Sequence, residues 1–319
     1  MNKKHQTERF FGFVCYLDLL GTSAKFEEAK RRDVADSELD YTGYEAKRMA
    51  QAADIMKHSL PKAKLKDGVE RLVPFTYFIS DSAFIVAPAD ATLSGVPNSD
   101  NESIFGPLLC DIADCQRNLV QQGFFARGSL AVGEVFAGKD RLDGPAVCEA
   151  VNGEKSFTGP FVRIEQPVWS FLWEGYWLQR KPFARLEDSM VKDSAWNKHI
   201  FANGENGEIY LNYMGDWFNG SYDVEALIIG QKAMIELEGP RASEQAREKY
   251  AILASFHNDV IMKHWPNLPP EQHVRFCVQD PFFRLVGGKP TFCFSDRSFW
   301  MDDIKKSVFN KVFGDELKV

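Results

Sequence analysis

Hydrophobic and polar positions divide the chain into elements of two kinds. Phe10 to Leu20 is apolar on both faces, the pattern of a central strand covered by other layers, and Asp18 is its one charged position. Gly21-Thr22 follows as a turn that can open a helix. Residues 24 to 70 are charged and Ala-rich, with Glu45, Met49, Ala53, Met56 and Leu60 at helical spacing up to Pro61. Two apolar segments, Val73 to Ile79 and Ala83 to Ala87, flank Ser80-Asp81-Ser82, which predicts a tight hairpin with an aspartate at its tip. Asp90 to Asn101 predicts a loop. Pro107 to Gln121 predicts a helix with Leu108, Ile112, Cys115 and Leu119 on one face, closed by Gly123. Phe124 to Phe136 alternates as a strand that puts Arg127, Ser129, Ala131 and Gly133 on one face. A turn over Gly138 to Gly144 and a short helix over Pro145 to Asn152 complete this part. Strand, helix, hairpin, helix, strand is the order of a ferredoxin-like βαββαβ unit, an α+β fold.

Beyond about Arg163 the pattern changes. Tryptophans crowd into residues 169 to 217, more in keeping with a core or an interface than with a ligand cage. Gly204 to Gly207 marks a turn and Ile209-Tyr210-Leu211 a short strand. Glu244 to Met262 predicts an amphipathic helix with Ala246, Tyr250, Leu253, His257 and Val260 on one side, and the tail from Val274 is Phe-rich. The chain therefore divides at residues 8–165 and 166–319, the second part a mixed helical and strand extension expected to pack on the first. It shows no internal repeat.

Composition narrows the classes. The 319 residues are 45% hydrophobic and 26% charged, which excludes disordered, collagen-like and disulfide-scaffold chains. A net charge of −7 argues against a broad nucleic-acid or membrane-surface role. No stretch approaches the roughly 18 apolar residues of a membrane span, and the N-terminus does not read as a signal peptide. Cys15, Cys110, Cys115, Cys148, Cys277 and Cys293 form no CxxC pair. Reduced, mostly buried thiols in a cytoplasmic protein are expected.

The candidate chemistry is acidic. A lone carboxylate in a buried strand costs several kcal/mol unless it is paired, protonated or metal-bound, which singles out Asp18. In a βαββαβ sheet the first strand neighbours the hairpin, so Asp81 can converge on it. Two Asp oxygens and a backbone carbonyl suit a hard divalent ion that keeps water and phosphate as its other ligands. Gly21 and the amides after it can cradle an anion. The plainer alternative makes Asp18 a helix cap or ion-pair partner and Asp81 a turn residue. The six histidines are scattered, and His257 on a helix face reads as core. Gly287-Gly288-Lys289 lacks the spacing of a phosphate-binding loop, and no GxSxG is present.

Four segments occur in one order: Tyr16-Leu17-Asp18-Leu19-Leu20-Gly21, Tyr77-Phe78-Ile79-Ser80-Asp81, Arg127-Gly128-Ser129-Leu130-Ala131-Val132-Gly133-Glu134-Val135 and Gly144-Pro145-Ala146-Val147. Together they resemble the class III nucleotidyl cyclases. The resemblance is closer to the pyrimidine cyclases of bacterial anti-phage defence, the Pycsar cyclases, through the Asp-x-Leu-Gly strand, the Ser-Asp-Ser hairpin, the Arg-Gly strand and a later Lys249-Tyr250 helix with His257-Asn258.

That resemblance implies a phosphorus–oxygen lyase with a homodimeric, composite active site. Asp18 and Asp81, with the Leu19 carbonyl, would bind two Mg²⁺ or Mn²⁺ ions, and Leu20, Gly21 and Thr22 would bind substrate. Tyr77 stands four residues before the hairpin aspartate, where adenylate cyclases carry Lys and guanylate cyclases Glu. Its ring would exclude a two-ring base. Arg127 would offer donors to a base carbonyl, which favours UTP over CTP because uracil presents two carbonyl acceptors. The implied product is cyclic UMP, a second messenger that acts on a separate effector in antiviral signalling. Cytidylate cyclase activity, an inactive nucleotide-binding scaffold and metal-dependent phosphodiester hydrolysis are the alternatives. The family's transition-state Asn and Arg align near Cys148 and Asn152, neither of them cationic; Lys139, Arg141, Lys155 and Arg163 are the candidate substitutes. The stretch from Asp18 to Asp81 is long for one crossover helix, so an extended or doubled helix is expected there.

Overall fold

A computed structural model describes residues 8–36, 39–60, 62–65, 68, 70–93, 104–138, 141–156, 159–168, 171, 200–203, 208–215 and 223–279. Strand β1 (Glu8–Leu19) leads into helices α1 (Thr22–Ala35) and α2 (Tyr41–His58), so the crossover is doubled. Asp33 on α1 explains the abrupt second start. Its carboxylate accepts hydrogen bonds from the Tyr41 and Thr42 amides at 2.6 and 3.1 Å, and Asp40 caps the same turn by accepting from the Gly43 amide at 2.7 Å. The short strand β2 (Lys62–Lys64) pairs with β3 (Glu70–Leu72) on one side and β6 (Thr92–Leu93) on the other in a separate small sheet.

The hairpin is β4 (Phe75–Ile79) and β5 (Ser82–Pro88). Its turn is one residue shorter than the sequence pattern predicts. Ser80 takes a left-handed φ of 57°, and Ser82 belongs to β5, paired with Ile79 on one side and Asp18 on the other. Helix α3 (Phe105–Gln121) then leads to the long strand β7 (Ala126–Gly138), the short strand β8 (Arg141–Asp143) paired with it, and helix α4 (Pro145–Lys155).

β7, β1, β5 and β4 lie side by side in that order and every pair is antiparallel. Numbering these four strands by their place in the unit gives the order 4-1-3-2, that of a βαββαβ sheet. The sheet then continues: β9 (Val162–Ile164) pairs parallel to β7, followed by β11 (Glu208–Leu211) and β10 (Ile200–Asn203). The fold is α+β with a mixed sheet.

Alternation along β1 sends its residues to two cores, which is why the sequence reads as apolar on both faces. Phe13, Cys15 and Leu17 pack with the predicted α3 face, Leu108, Ile112, Cys115 and Leu119, in one large cluster. The same cluster holds Leu253 and Phe256 of a later helix, α6 (Glu244–His264), which follows α5 (Val224–Glu238). Residues after 166 thus share the core of those before it. Val14 joins the second cluster, where Ala131 and Val135 of β7 meet Ala146 and Ala150 of α4. Small residues let α4 lie close: a Cβ at Gly133 would stand 3.5 Å from the Ala146 methyl. All five described cysteines are free, and Cys148 is exposed rather than buried. Among the described residues no helix is long and apolar enough to cross a membrane.

Gly128 sits between β1 and β9, and a Cβ there would lie 2.1 Å from the Tyr16 carbonyl oxygen. The backbone must move to admit a methyl group. Gly128→Ala is expected to cost about 2–4 kcal/mol in urea unfolding; an unchanged midpoint would show that β1 and β7 are not held at this spacing.

Candidate active site

The site forms where β1 ends. Asp18 is directly opposite Ser82 on β5 and Arg127 on β7, so three strands deliver three polar side chains to one row. The Tyr16 hydroxyl donates to Ser82 Oγ at 2.9 Å, and Ser82 in turn donates to Asp18 Oδ1, also at 2.9 Å. The second carboxylate oxygen, Oδ2, is 3.5 Å from Arg127 Nε. On the other side of Arg127, Nη2 lies 2.5 Å from Oε1 of Glu154, in the last turn of α4.

Asp81 closes the neighbouring edge. Its carboxylate accepts from the Thr22 hydroxyl, and its carbonyl accepts from the Leu19 amide at 3.3 Å. These contacts tie the hairpin turn to the junction of β1 and α1. At that junction Gly21 has φ 79° and ψ 11°, a left-handed conformation that favours glycine. Helix α1 starts there with no side-chain cap and no acidic residue in its first turn, which leaves its N-terminal amides open to an anion. The Leu20 amide is spent on the Phe125 carbonyl at 2.7 Å. Of the three residues expected to contact substrate here, only Gly21 and Thr22 keep their amides free among the described residues.

Burial raises the Asp18 carboxyl above its ordinary range; the Ser82 hydrogen bond opposes this, Asp81 repulsion adds to it and Arg127 lowers it. Burial also raises Glu154, against the pull of Arg127. Lys249 on α6 is lowered, first by burial and then by Arg127, while the charges of Glu154 and Asp18 act on it in the opposite sense. Lys249 is half-buried and makes no ion pair within 4 Å among the described residues. Its neighbour Tyr250 packs edge-on against Phe125, with ring centroids 6.0 Å apart. The C-terminal part of the chain therefore supplies a cation to a site whose acids come from the N-terminal part.

The donor set is that of a hard ion. Among the described residues no three His, Cys, Asp or Glu side chains come together to hold a metal. Two carboxylates and the Leu19 carbonyl suit Mg²⁺ or Mn²⁺, which keep waters or phosphate oxygens, and not the nitrogen and sulfur set of zinc. Burial and the Asp81 charge, which raise Asp18, are the costs that such an ion would offset.

The other sequence candidates lie elsewhere. Tyr77 is in register with Phe84, itself opposite Tyr16, and so lies two rows from Asp18 on the same face of the sheet, but its hydroxyl donates to the Gly138 carbonyl at 2.8 Å. Burial and Glu8 raise its pKa. Arg163 is paired with Glu165 and Glu208 at 2.8 and 3.1 Å, and Arg141 with Asp143 at 3.1 Å, all away from the Asp18 row. Lys155 acts on Glu154 as a through-space charge. Cys148 and Asn152 are exposed on α4. Lys139, Cys293, Gly287-Gly288-Lys289 and the tryptophans at 169, 173, 177, 196 and 217 lie outside the described residues.

The sequence does not single out Glu154; it carries Ser82 and Tyr16 as members of the hairpin and first-strand motifs without a role, and Lys249 as half of a Lys-Tyr pair. Glu154 stands beside Lys155 at a helix end, where a charged residue normally faces water, and no local signal marks it as buried. Compared with family models and with curated proteins, the chain matches none of them.

His257 is fully buried on α6 as the sequence reading expects, and it does not face the site. Its Nε2 lies 2.9 Å from the Phe276 carbonyl and its Nδ1 3.2 Å from Gln231 Nε2, which suits a neutral ring protonated on Nε2. Asn258 pairs both ways with the Val278 backbone at 3.0 and 2.8 Å. The pair pins the chain that follows the short helix α7 (Pro270–Phe276) onto α6. Burial lowers the His257 pKa to about 4. A ring that resists protonation when folded supports stability in full above the unfolded value near 6.5 and loses that contribution as pH falls towards 4. Burial has the opposite effect on Asp111 and Asp259, raised to about 8 and about 6, so the histidine is isolated by comparing variant with wild type. Unfolding stability of wild type minus His257→Gln is expected to drop between pH 6.5 and 4, by up to about 1.4 kcal/mol per pH unit. A pH-independent difference would contradict this assignment.

Proposed function

We propose that this chain is a pyrimidine nucleotide cyclase, converting UTP to 3′,5′-cyclic UMP and pyrophosphate in antiviral signalling. One observation carries the reading. Asp18 and Asp81 meet beside the uncapped start of α1, with Arg127 and Lys249 as flanking cations, at the end of the first strand of a 4-1-3-2 sheet.

In this reading the ribose 3′-oxygen attacks the α-phosphorus, the bond from that phosphorus to the bridging oxygen breaks, pyrophosphate leaves and the hydroxyl proton passes to water. Asp18, Asp81 and the Leu19 carbonyl would hold the divalent ions. Bound Mn²⁺ or Mg²⁺ supplies a lowered pKa for the 3′-hydroxyl and neutralises phosphate charge. The Gly21 and Thr22 amides receive phosphate oxygens at the helix terminus. Ser82, fixed by Tyr16, keeps Asp18 in one rotamer. Lys249, short of an anionic partner, pairs with the triphosphate and takes the place expected of the missing family arginine. Such chemistry asks positioning and charge neutralisation of the protein more than covalent work.

UTP comes before CTP because Arg127 is a donor and uracil has acceptors at both carbonyls. Tyr77 contributes its ring rather than its hydroxyl, which is committed to Gly138. A homodimer with composite sites belongs to the same reading. The scaffold alternative has its own observation: Arg127 is held by two acids and Tyr77 by a carbonyl, so both are occupied by protein groups.

Labelled UTP, CTP, ATP and GTP, each incubated with the protein and Mn²⁺, are expected to yield cyclic UMP above all. Asp81→Asn should lower that rate by about 10²-fold or more. Lys249→Ala should raise the KM for UTP about tenfold, the loss of one charge-assisted contact. Nucleotide binding with no product from any triphosphate would establish the scaffold instead, and a dominant purine product would refute the base assignment.

A further inference from the structure

Two acids share one guanidinium. Asp18 Oδ2 is 3.5 Å from Arg127 Nε, and Glu154 Oε1 is 2.5 Å from Arg127 Nη2. Neither contact is a well-aligned hydrogen bond, because Arg127 Nε and Glu154 Oε1 are both buried without a hydrogen-bond partner. Glu154 is only 4% exposed. Its backbone is held firmly: a Cβ on the preceding Gly153 would lie 2.3 Å from Ser129 Oγ and 2.2 Å from Glu165 Oε1, so α4 sits tight over β7. A carboxylate this far from water is costly unless a cation serves it, and Arg127 is the cation in contact.

Asp18 has a competing demand on it. A guanidinium beside its Oδ2 opposes a divalent ion at the same carboxylate, since two cations cannot both be neutralised by one charge. Glu154 resolves that conflict by offering Arg127 a second anion within the reach of the same side chain.

We propose that Glu154 is the alternative dock for Arg127: a divalent cation arriving at Asp18 displaces the guanidinium, and Glu154 retains it within the site. This rests on the cation-binding role of Asp18 proposed above. Glu154 is then a positioning residue that acts through Arg127, leaving the remaining donors of the fork free for substrate. With Glu154 neutral, Arg127 closes on Asp18 and competes fully with the ion. With both groups neutral, nothing competes.

The test is Mn²⁺ binding to the full chain without nucleotide, read from the loss of the free-ion electron paramagnetic resonance signal. Wild type is expected to bind and Asp18→Asn to lose binding. Glu154→Gln should bind about tenfold more weakly, as expected when a close charge is left to compete. The double variant Arg127→Gln/Glu154→Gln should regain wild-type affinity or better, a reversal that a packing role for Glu154 does not produce. Thermal unfolding checks that each variant is folded; where Glu154→Gln is not, Glu154→Asp, which draws the carboxylate back, should give a smaller weakening of the same sign. Wild-type affinity in Glu154→Gln, or a double variant as weak as Glu154→Gln, overturns the inference while leaving the cation site intact. Mn²⁺ binding that is absent, or that Asp18→Asn does not change, overturns the cation role of Asp18 and the inference with it.

Discussion

The pairing of β1 on both of its edges is the constraint on which the rest depends. Seven residues of β1 are in register with β5 and twelve with β7, and that register sends alternate side chains into two different cores. A slip of one residue would exchange the faces, moving Phe13, Cys15 and Leu17 out of the α3 cluster and Asp18 into it. The apolar mass on both sides therefore holds the position of a single carboxylate. Asp18 stays at the strand end, opposite Ser82 and Arg127, because Phe13, Cys15, Leu17 and Leu19 are committed to one core and Val14, with Phe10 and Tyr16, to the other.

The charge cluster follows from that placement. A half-buried acid needs a donor and a cation. Ser82 and Arg127 meet the need from the two adjacent strands, and Arg127 then brings in Glu154 from α4. Lys249 completes the set from α6. The site joins parts of the chain more than two hundred residues apart, and the shared core explains how: α6 packs in the same cluster as β1 and α3, so its polar edge emerges beside the end of β1. Charges that compensate one another within this cluster also explain why a net charge of −7 carries little information about the cluster itself.

Arg163 and His257 show where residue type misleads. Both are of the kind that carries chemistry, and both are spent on structure. Arg163 links β9 to β11 through Glu165 and Glu208, and His257 fastens the end of α7. Glu165 is local to Arg163, but Glu208, Gln231 and Phe276 come from other elements, so the sequence around either residue does not announce the structural role.

By itself the sequence determined what short-range physics can write: the double-sided apolar strand with one aspartate, the hairpin, the helical face Leu108, Ile112, Cys115 and Leu119, and hence the α+β class and the proximity of Asp18 to Asp81. These are properties of periodicity and turn chemistry, carried by residues near one another in the chain. Tertiary structure alone decided that Ser82 enters β5 and bonds to Asp18, that the Tyr77 hydroxyl turns to Gly138, that Glu154 is buried against Arg127, and that Lys249 faces the acids. Each of those depends on the angle at which elements pack, and on which of several available partners lies within hydrogen-bonding reach. Packing angles and contact distances arise only when the whole core has closed.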